Sequence, residues 1–486
     1  MKRILSTLLL TAMILCVSCG KETVSNGTDT EQSANTTSIS SDTTSENLDP
    51  QIPAVDYGGY EFRILTSDIA ENEMAYHEVF SEGENGEVVN DAVYKRNVAI
   101  NEKYNVKIIG EYTGLFDFSN FTKSVLANDD VYDVVLLNIK TAVTSATSGY
   151  LKEINDIPYL DFSKPWWLEN SVTESSIMNR SYFAVGDINL ASYESTPVIF
   201  FNKQMTEANN ITDLYEVVDR GEWTYDKMLE YCSDVGSDLD GNSVYDENDS
   251  YGLALNSFSV FTFTYGGGFR VIEKDNQDLP YINISERLLS FLQKHIQTCA
   301  ENNSILNGDT IAKGNIIEGV KIRQTAFREN RVLFYNEMLT MASMLRNMET
   351  DFGVLPMPKS DETQKTYYSF FHNTNSSTVT IPVTNSDIDR TGRIVEDMLY
   401  QSHMLVRPAY FEKTVYAKAM RDEESERMLD LILGNIIFDD ALDPGILDAI
   451  RPLFNKANTN IASALESKMP KLQDALDKTV SAFAEK

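Results

Sequence analysis

Tyr60-Glu-Phe-Arg-Ile-Leu65 alternates apolar and polar side chains, the period-two pattern of a strand with one buried face. From Asn90 the period changes. Tyr94/Val98 and Ile100/Tyr104 stand four apart, with Asp91 in the first turn and Lys103 near the end. This predicts a helix capped by Asn90. Asn105–Ile109 reads as a second strand, Phe118–Ala127 as a second helix, and Tyr132–Leu137, apolar almost throughout, as a strand buried on both faces. Strand, helix, strand, helix, strand predicts an α/β unit around a parallel sheet.

After Pro165-Trp-Trp167 a second unit is expected. Val198–Phe201, Tyr251–Leu255, Arg331–Tyr335 and Phe352–Leu355 read as strands. A helix starts at Thr224 with Asp226 in its first turn, and Arg287–Ala300 and Leu339–Met348 follow as helices. The last third is mostly helical: Ile394–His403, Glu424–Leu433 and Ile461–Ala484, the last broken or kinked at Pro470. No solenoid-length repeat is present.

The 486 residues exceed what one core supports, so two large lobes are expected. With 73 acidic against 41 basic residues the net charge is −32, which argues against nucleic acid and against lying flat on anionic lipid. The first residues change the picture more. Lys2 and Arg3 precede an apolar run, Ile4–Val17, and then Ser18, Cys19 and Gly20. This is the layout of a secretory signal, and the run is too short for an ordinary membrane-spanning helix. With Cys19 at the first mature position it resembles the lipobox of bacterial lipoproteins, although Cys16 stands where Leu is usual. The resemblance implies cleavage after Ser18, diacylation of Cys19, and a protein held by lipid at the extracellular face of the cell membrane. Residues 20–50, rich in Ser, Thr, Asn, Asp and Glu, read as a disordered stalk. Cys232 and Cys299 lie on helical apolar stripes; buried thiols and a disulfide both remain open.

Several stretches then line up in order. They are Asn90–Asn97 with Glu102–Val106, Gly186–Tyr193 through Phe200–Lys203, Gly221–Asp226, Phe352–Pro358, and Arg421–Ser425 with Met428-Leu429. In this order they resemble the carbohydrate-type, maltose-binding-protein-like extracellular solute-binding proteins of bacterial ABC importers. The resemblance covers most of residues 57–455. It implies a periplasmic-binding-protein-like α/β fold: two α/β lobes joined by crossing hinge segments, with a helical C-terminal region. The implied organisation is a signal at 1–18, a linker at 19–50, an N-terminal lobe from 51–165 and 323–365, and a C-terminal lobe from 166–322 and 366–486. Phe352–Pro358 would be the return into the first lobe. The implied role is capture of an oligosaccharide or another small polar solute by a monomer, with delivery to permease subunits and no catalysis. A surface glycan sensor and a surface glycoside hydrolase are the alternatives. The hydrolase needs two facing carboxylates, which no local motif marks. Positions matching the cleft of such proteins are Asp68, Asn138, Tyr193, Asn256, Phe258, Glu337, His372 and Asn375. Aromatic faces there would stack on sugar rings and short polar groups would meet hydroxyls. Trp223 reads as a plug beside a helix start, whereas Trp166 and Trp167 read equally as stacking or packing residues.

No cofactor is required by this role. One loop nonetheless carries the oxygen density a hard cation wants. Asp238, Asp240, Asn242, Asp246 and Asp249 fall at positions 1, 3, 5, 9 and 12 of an EF-hand loop, with the Val244 carbonyl at 7. Ser243 replaces the usual turn Gly and Asp249 the usual Glu, and a strand follows instead of a helix. A structural calcium and a solvated acidic turn both remain open.

Overall fold

The first strand of the computed structural model, β1 (Tyr60–Ser67), buries five of its eight residues and leaves only Glu61 exposed, and it is flanked on both sides by parallel partners. The structure describes residues 48–67, 78–114, 117–345, 347–411, 423–456 and 460–485. Cys19 and Asp68 lie outside them. β2 (Val106–Thr113) pairs with β1 in register Ile64↔Gly110, and β3 (Val134–Leu137) pairs with Ile64↔Val134. The helix Val88–Tyr104 connects β1 to β2, as the four-residue spacing predicted. Its cap is Glu87, which accepts the Asn90 N–H at 2.7 Å, so Asn90 sits inside the first turn.

The second sheet begins with β4 (Pro197–Asn202) and β5 (Tyr251–Leu255). A short antiparallel hairpin, β6 (Ile272–Lys274) and β7 (Pro280–Ile282), leads to the helix Glu286–Glu301. Then come β8 (Ile305–Asn307), β9 (Val332–Met338) and β10 (Phe352–Leu355). The order across the sheet is β10-β4-β9-β5-β8. β5 runs parallel to β8 and β9; β4 runs antiparallel to β9 and β10. Thr224 caps the helix Tyr225–Ser233 as expected, accepting the Lys227 N–H at 3.2 Å. That helix lies so close to β5 that a Cβ on Gly252 would fall 2.4 Å from Cys232. Cys232 and Cys299 are both free and buried, so no disulfide joins them.

This pairing corrects the expected lobe boundaries. Residues 323–365 were assigned to the N-terminal lobe, yet β9 and β10 are strands of the second sheet, with Phe334 opposite Leu253 and Val354 opposite Phe200. The return comes later. β11 (Ser369–Phe370) still pairs outside the first sheet, with β13 (Ile436–Ile437). β12 (Thr378–Thr380) is the strand that joins the first sheet, antiparallel to β3 with Thr378 opposite Leu137. The helix Ile388–Gln401, assigned to the C-terminal lobe, packs against Val88–Tyr104 of the first. Hydrogen bonding across strands far apart in sequence decides this, and no local pattern carries it.

Two segments therefore cross between the sheets, one leading from residue 184 into β4 and one from β11 to β12. They are joined by an antiparallel bridge, Ala184↔Val379. Trp166 and Trp167 lie beneath the crossing. Their indole N–H groups both donate to Glu396, at 3.0 and 2.9 Å, and both rings are buried, which settles them as packing residues. Trp223 is a plug as expected: it is fully buried and donates to the Pro356 carbonyl at 2.9 Å. Near the C-terminus the predicted long helix is two, Ile461–Glu466 and Met469–Ala484, with Pro470 in the first turn of the second, where its missing N–H costs nothing. Among the described residues no helix is long and apolar enough to cross a membrane.

Candidate functional site

Parallel strands present their C-terminal loops at one edge of a sheet, and ligands of open α/β sheets bind there. In the first sheet β3 ends at Leu137. Asn138 then caps the helix Ile139–Thr147 by accepting the Thr141 N–H at 2.8 Å. In the second sheet β5 ends at Leu255, where Asn256 turns the chain by accepting the Phe258 N–H at 3.0 Å. The segment returning from β11 runs between these loops. The Asn373 carbonyl accepts the Lys140 N–H at 2.9 Å, and the Asn373 N–H donates to Asp440 at 2.7 Å. The His372 ring lies 4.9 Å from Phe258 and 5.1 Å from Phe261. The Arg451 guanidinium sits 5.9 Å from the Phe258 ring and donates through Nε to Ser257 Oγ at 3.2 Å.

His372 is neutral at physiological pH. Burial pushes its pKa down to about 4, helped by the positive charges of Arg451 and Lys140. Its Nδ1 accepts the Thr374 N–H at 3.3 Å, which fixes the tautomer with the proton on Nε2. A second group of charges stands at the ends of β8 and β9. Arg323, 1% exposed, donates to Glu337 Oε2 at 2.9 Å; Tyr335 donates to the same oxygen at 3.3 Å. Burial pulls the Arg323 guanidinium down, but Tyr335, Glu337 and Asp309 more than offset it and hold it above its ordinary value. Asp309 in turn accepts the Ser257 N–H at 2.9 Å, tying this group to the Phe258 loop.

The sequence-derived residues divide accordingly. Phe258, His372 and Asn256 share one constellation with Asn138 across the return segment. Glu337 belongs to the neighbouring Arg323 group, and Asn375 is exposed, with its N–H donating to the His372 carbonyl at 3.2 Å. Tyr193 is a correction. It is 3% exposed, its hydroxyl donates to Asp187 at 2.8 Å, and its ring packs edge-on against Phe371 and Phe411. It is a core residue of the first crossing segment. Sequence reasoning missed Arg323, Arg451 and Asp309. Each reaches the site from a helix or turn remote in sequence, and nothing in its local pattern sets it apart.

Overlay on solved structures places the architecture. No protein-family model matches the sequence, and no curated relative does. The chain is similar to an ABC substrate-binding protein from Listeria monocytogenes in complex with cycloalternan, with a TM-score of 0.54 at 12% identity over 86% of this chain and 99% of that one. It is similar to maltose-bound MalE3 of T. maritima, at 0.52 and 12% over 86% and 100%. UgpB from Mycobacterium tuberculosis in complex with glycerophosphocholine matches at 0.51 and 13% over 87% and 99%. This is the two-lobed substrate-binding-protein fold. At such identities the likeness concerns fold, and it accounts for two α/β sheets joined by two crossing segments whose strand ends meet around Asn373.

The acidic loop lies on the second lobe of this fold and leads into β5 at the end opposite Asn256. Asp238, Asp240 and Asp249 each offer an oxygen within 4.8 Å of the others. Ser237 and Ser250 close the base by exchanging backbone hydrogen bonds of 3.0 Å. Ser243 adopts φ +64°, the left-handed turn for which an EF-hand loop uses Gly. Asn242 and Asp246 are occupied in local turns, accepting the Val244 and Asn248 N–H groups. The structure thus gathers three of the six expected ligands, and Val244 is exposed.

Proposed function

We propose that this chain captures an oligosaccharide between its lobes at the outer face of the cell membrane and delivers it to the permease subunits of an ABC transporter. The observation that carries this reading is the meeting of loops from both sheets at Lys140, Asn373, His372 and Phe258. It brings aromatic edges and faces together with hydrogen-bonding groups of both kinds, held by backbone bonds to Asn373. Sugars need that mixture: C–H faces pack on rings, and hydroxyls both give and take hydrogen bonds. Binding of sugars by several proteins of the same fold supports the ligand class, and UgpB bound to glycerophosphocholine keeps another small polar solute in view.

A thermal-shift screen over malto-, cello-, xylo-, manno- and galacto-oligosaccharides of two to five units, with glycerophosphocholine alongside, tests the reading, and calorimetry then measures each hit. A rise in melting temperature with one saccharide series, without its hydrolysis, is expected. No shift with any saccharide, or turnover of one, overturns it. The lipid anchor is part of the same proposal. Palmitate should label the wild-type chain in cells and leave Cys19→Ser unlabelled. We propose separately that the loop around Asp249 binds calcium as a structural ion.

A further inference from the structure

Beside the constellation lies a cavity of about 220 Å³ that no sequence reasoning anticipated. Its walls come from three parts of the chain: the first-lobe helix Ile139–Thr147, the segment Ala441–Asp448 after β13, and the C-terminal helix Met469–Ala484. Asn373 stands at its edge, with its backbone bonded to Lys140 on one wall and to Asp440 on the other.

The lining is chemically mixed. Lys140, Asp443 and Asp448 converge on the space, and neither carboxylate forms an ion pair with the ammonium group. Asp443 is held in place by the Gly445 and Ile446 N–H groups at 2.9 and 2.7 Å. Between the charges the wall is aliphatic, with Val143, Leu442 and Leu476. A volume of this size is below the ~300–1,000 Å³ of sites that hold drug-sized molecules, so it holds one small ring. One cation against two carboxylates disfavours an anion, and the ammonium disfavours a cation. A neutral polyol satisfies all three groups at once. It accepts from Lys140, donates to the carboxylates, and lays its C–H face on the aliphatic wall.

We propose that this cavity is a subsite for one neutral sugar ring of a bound saccharide, with the C-terminal helix as its outer wall. The inference rests on the saccharide reading above and assigns the C-terminal helix a place in recognition.

The test uses the full mature chain and, from the screened series, the best-binding saccharide together with its homologue one unit shorter. Ala475 lines the cavity from the outer helix, so Ala475→Phe fills it, and Asp448→Ala removes one of its acceptors. Both variants should melt close to wild type, because Ala475 is only half-buried and Asp448 is exposed. Each should bind the longer saccharide at least tenfold more weakly while binding the shorter one as wild type does. Hydrogen exchange in the helix Met469–Ala484 should slow on saturation in wild type and stay unchanged in Ala475→Phe. If wild type binds the saccharides and both variants match it for both lengths, the subsite is refuted and the capture reading stands. If wild type binds none of the panel, both fall.

Discussion

Ser192 and Ser377 exchange two hydrogen bonds across the two crossing segments: Ser192 Oγ donates to the Ser377 carbonyl at 2.7 Å and accepts the Ser377 N–H at 2.9 Å. Both residues are buried, and Asn189 and Glu78 add bonds to the Ser377 hydroxyl at 3.1 and 2.8 Å. Each crossing segment carries the chain from one sheet to the other. A lock between them therefore fixes how the lobes are joined, and it is the natural pivot for any closure over ligand.

Removing that lock should cost more than a typical serine. Ser192→Ala leaves the Ser377 N–H buried without its acceptor, a loss of about 1–3 kcal/mol. Ser195→Ala, whose hydroxyl donates only to the Ala191 carbonyl one turn before it, should cost less than about 1 kcal/mol. Urea denaturation of the two variants compares them directly. Equal costs would show that the bonds between the segments contribute nothing beyond local helix structure.

The buried acids set the pH dependence of stability. Burial raises Glu78, Glu396 and Asp439 to about 7 and Asp443 to about 6, and pushes Asp440 and Glu194 well above the ordinary range. Between the unfolded pKa near 4 and these values the folded chain holds more protons than the unfolded one, so stability falls as pH rises through 7. His372 and His295, lowered by burial to about 4 and 3, act oppositely, but only below pH ~6.5. The melting temperature should therefore rise as pH falls from 8 to 6.5. Glu396→Gln should flatten that slope, whereas Glu207→Gln on the exposed surface should leave it. An unchanged slope in Glu396→Gln would remove this carboxylate from the account.

Local patterns and long-range pairing explain what could be read in advance. Tyr251–Leu255 and the Thr224 cap were legible because a short apolar run between polar turns, and a hydroxyl before a helix, are decided within a few residues. The lobe boundary was not. Whether Phe334 faces Leu253 or a strand of the first sheet is settled by a pairing some 80 positions away. Phe258 and His372 were singled out because loops after strands are where such sites lie, and the fold brings their rings together. Tyr193 failed because a tyrosine beside a strand looks the same whether its hydroxyl meets a ligand or Asp187. Arg451 and Arg323 carried no signal, since only the fold brings them to Ser257 and Glu337.

Ligand affinity should separate Phe258 from Tyr193. Phe258→Ala removes the ring that touches His372 and Arg451 and should weaken saccharide binding at least tenfold, about 1.4 kcal/mol. Tyr193→Phe deletes the buried hydroxyl and its bonds to Asp187 and Arg407. It should leave affinity within twofold while costing stability of about 1.5–3 kcal/mol, the usual range for a bond to a charged acceptor. Calorimetry and denaturation on both variants give four numbers. The reverse pattern would return Tyr193 to the cleft and dismiss Phe258.

The acidic loop gives the last test. Three carboxylates whose oxygens lie within 4.8 Å of one another repel unless a cation sits among them, and Asp249, 1% exposed, cannot relieve the repulsion by turning to water. Its oxygens already accept the Leu239 and Asp246 N–H groups at 2.8 and 2.9 Å, so it is held where a cation would need it. With an affinity in the weak extracellular range, ~10⁻⁴–10⁻³ M, 5 mM calcium should stabilise the fold by about 1–2 kcal/mol. EGTA should reverse the gain, magnesium should give less of it because the ion demands a tighter octahedron, and Asp240→Asn should abolish it without unfolding the chain, since Asp240 is exposed. A melting curve that calcium and EGTA leave in place would make the loop a hydrogen-bonded turn, held by its Asp side chains alone.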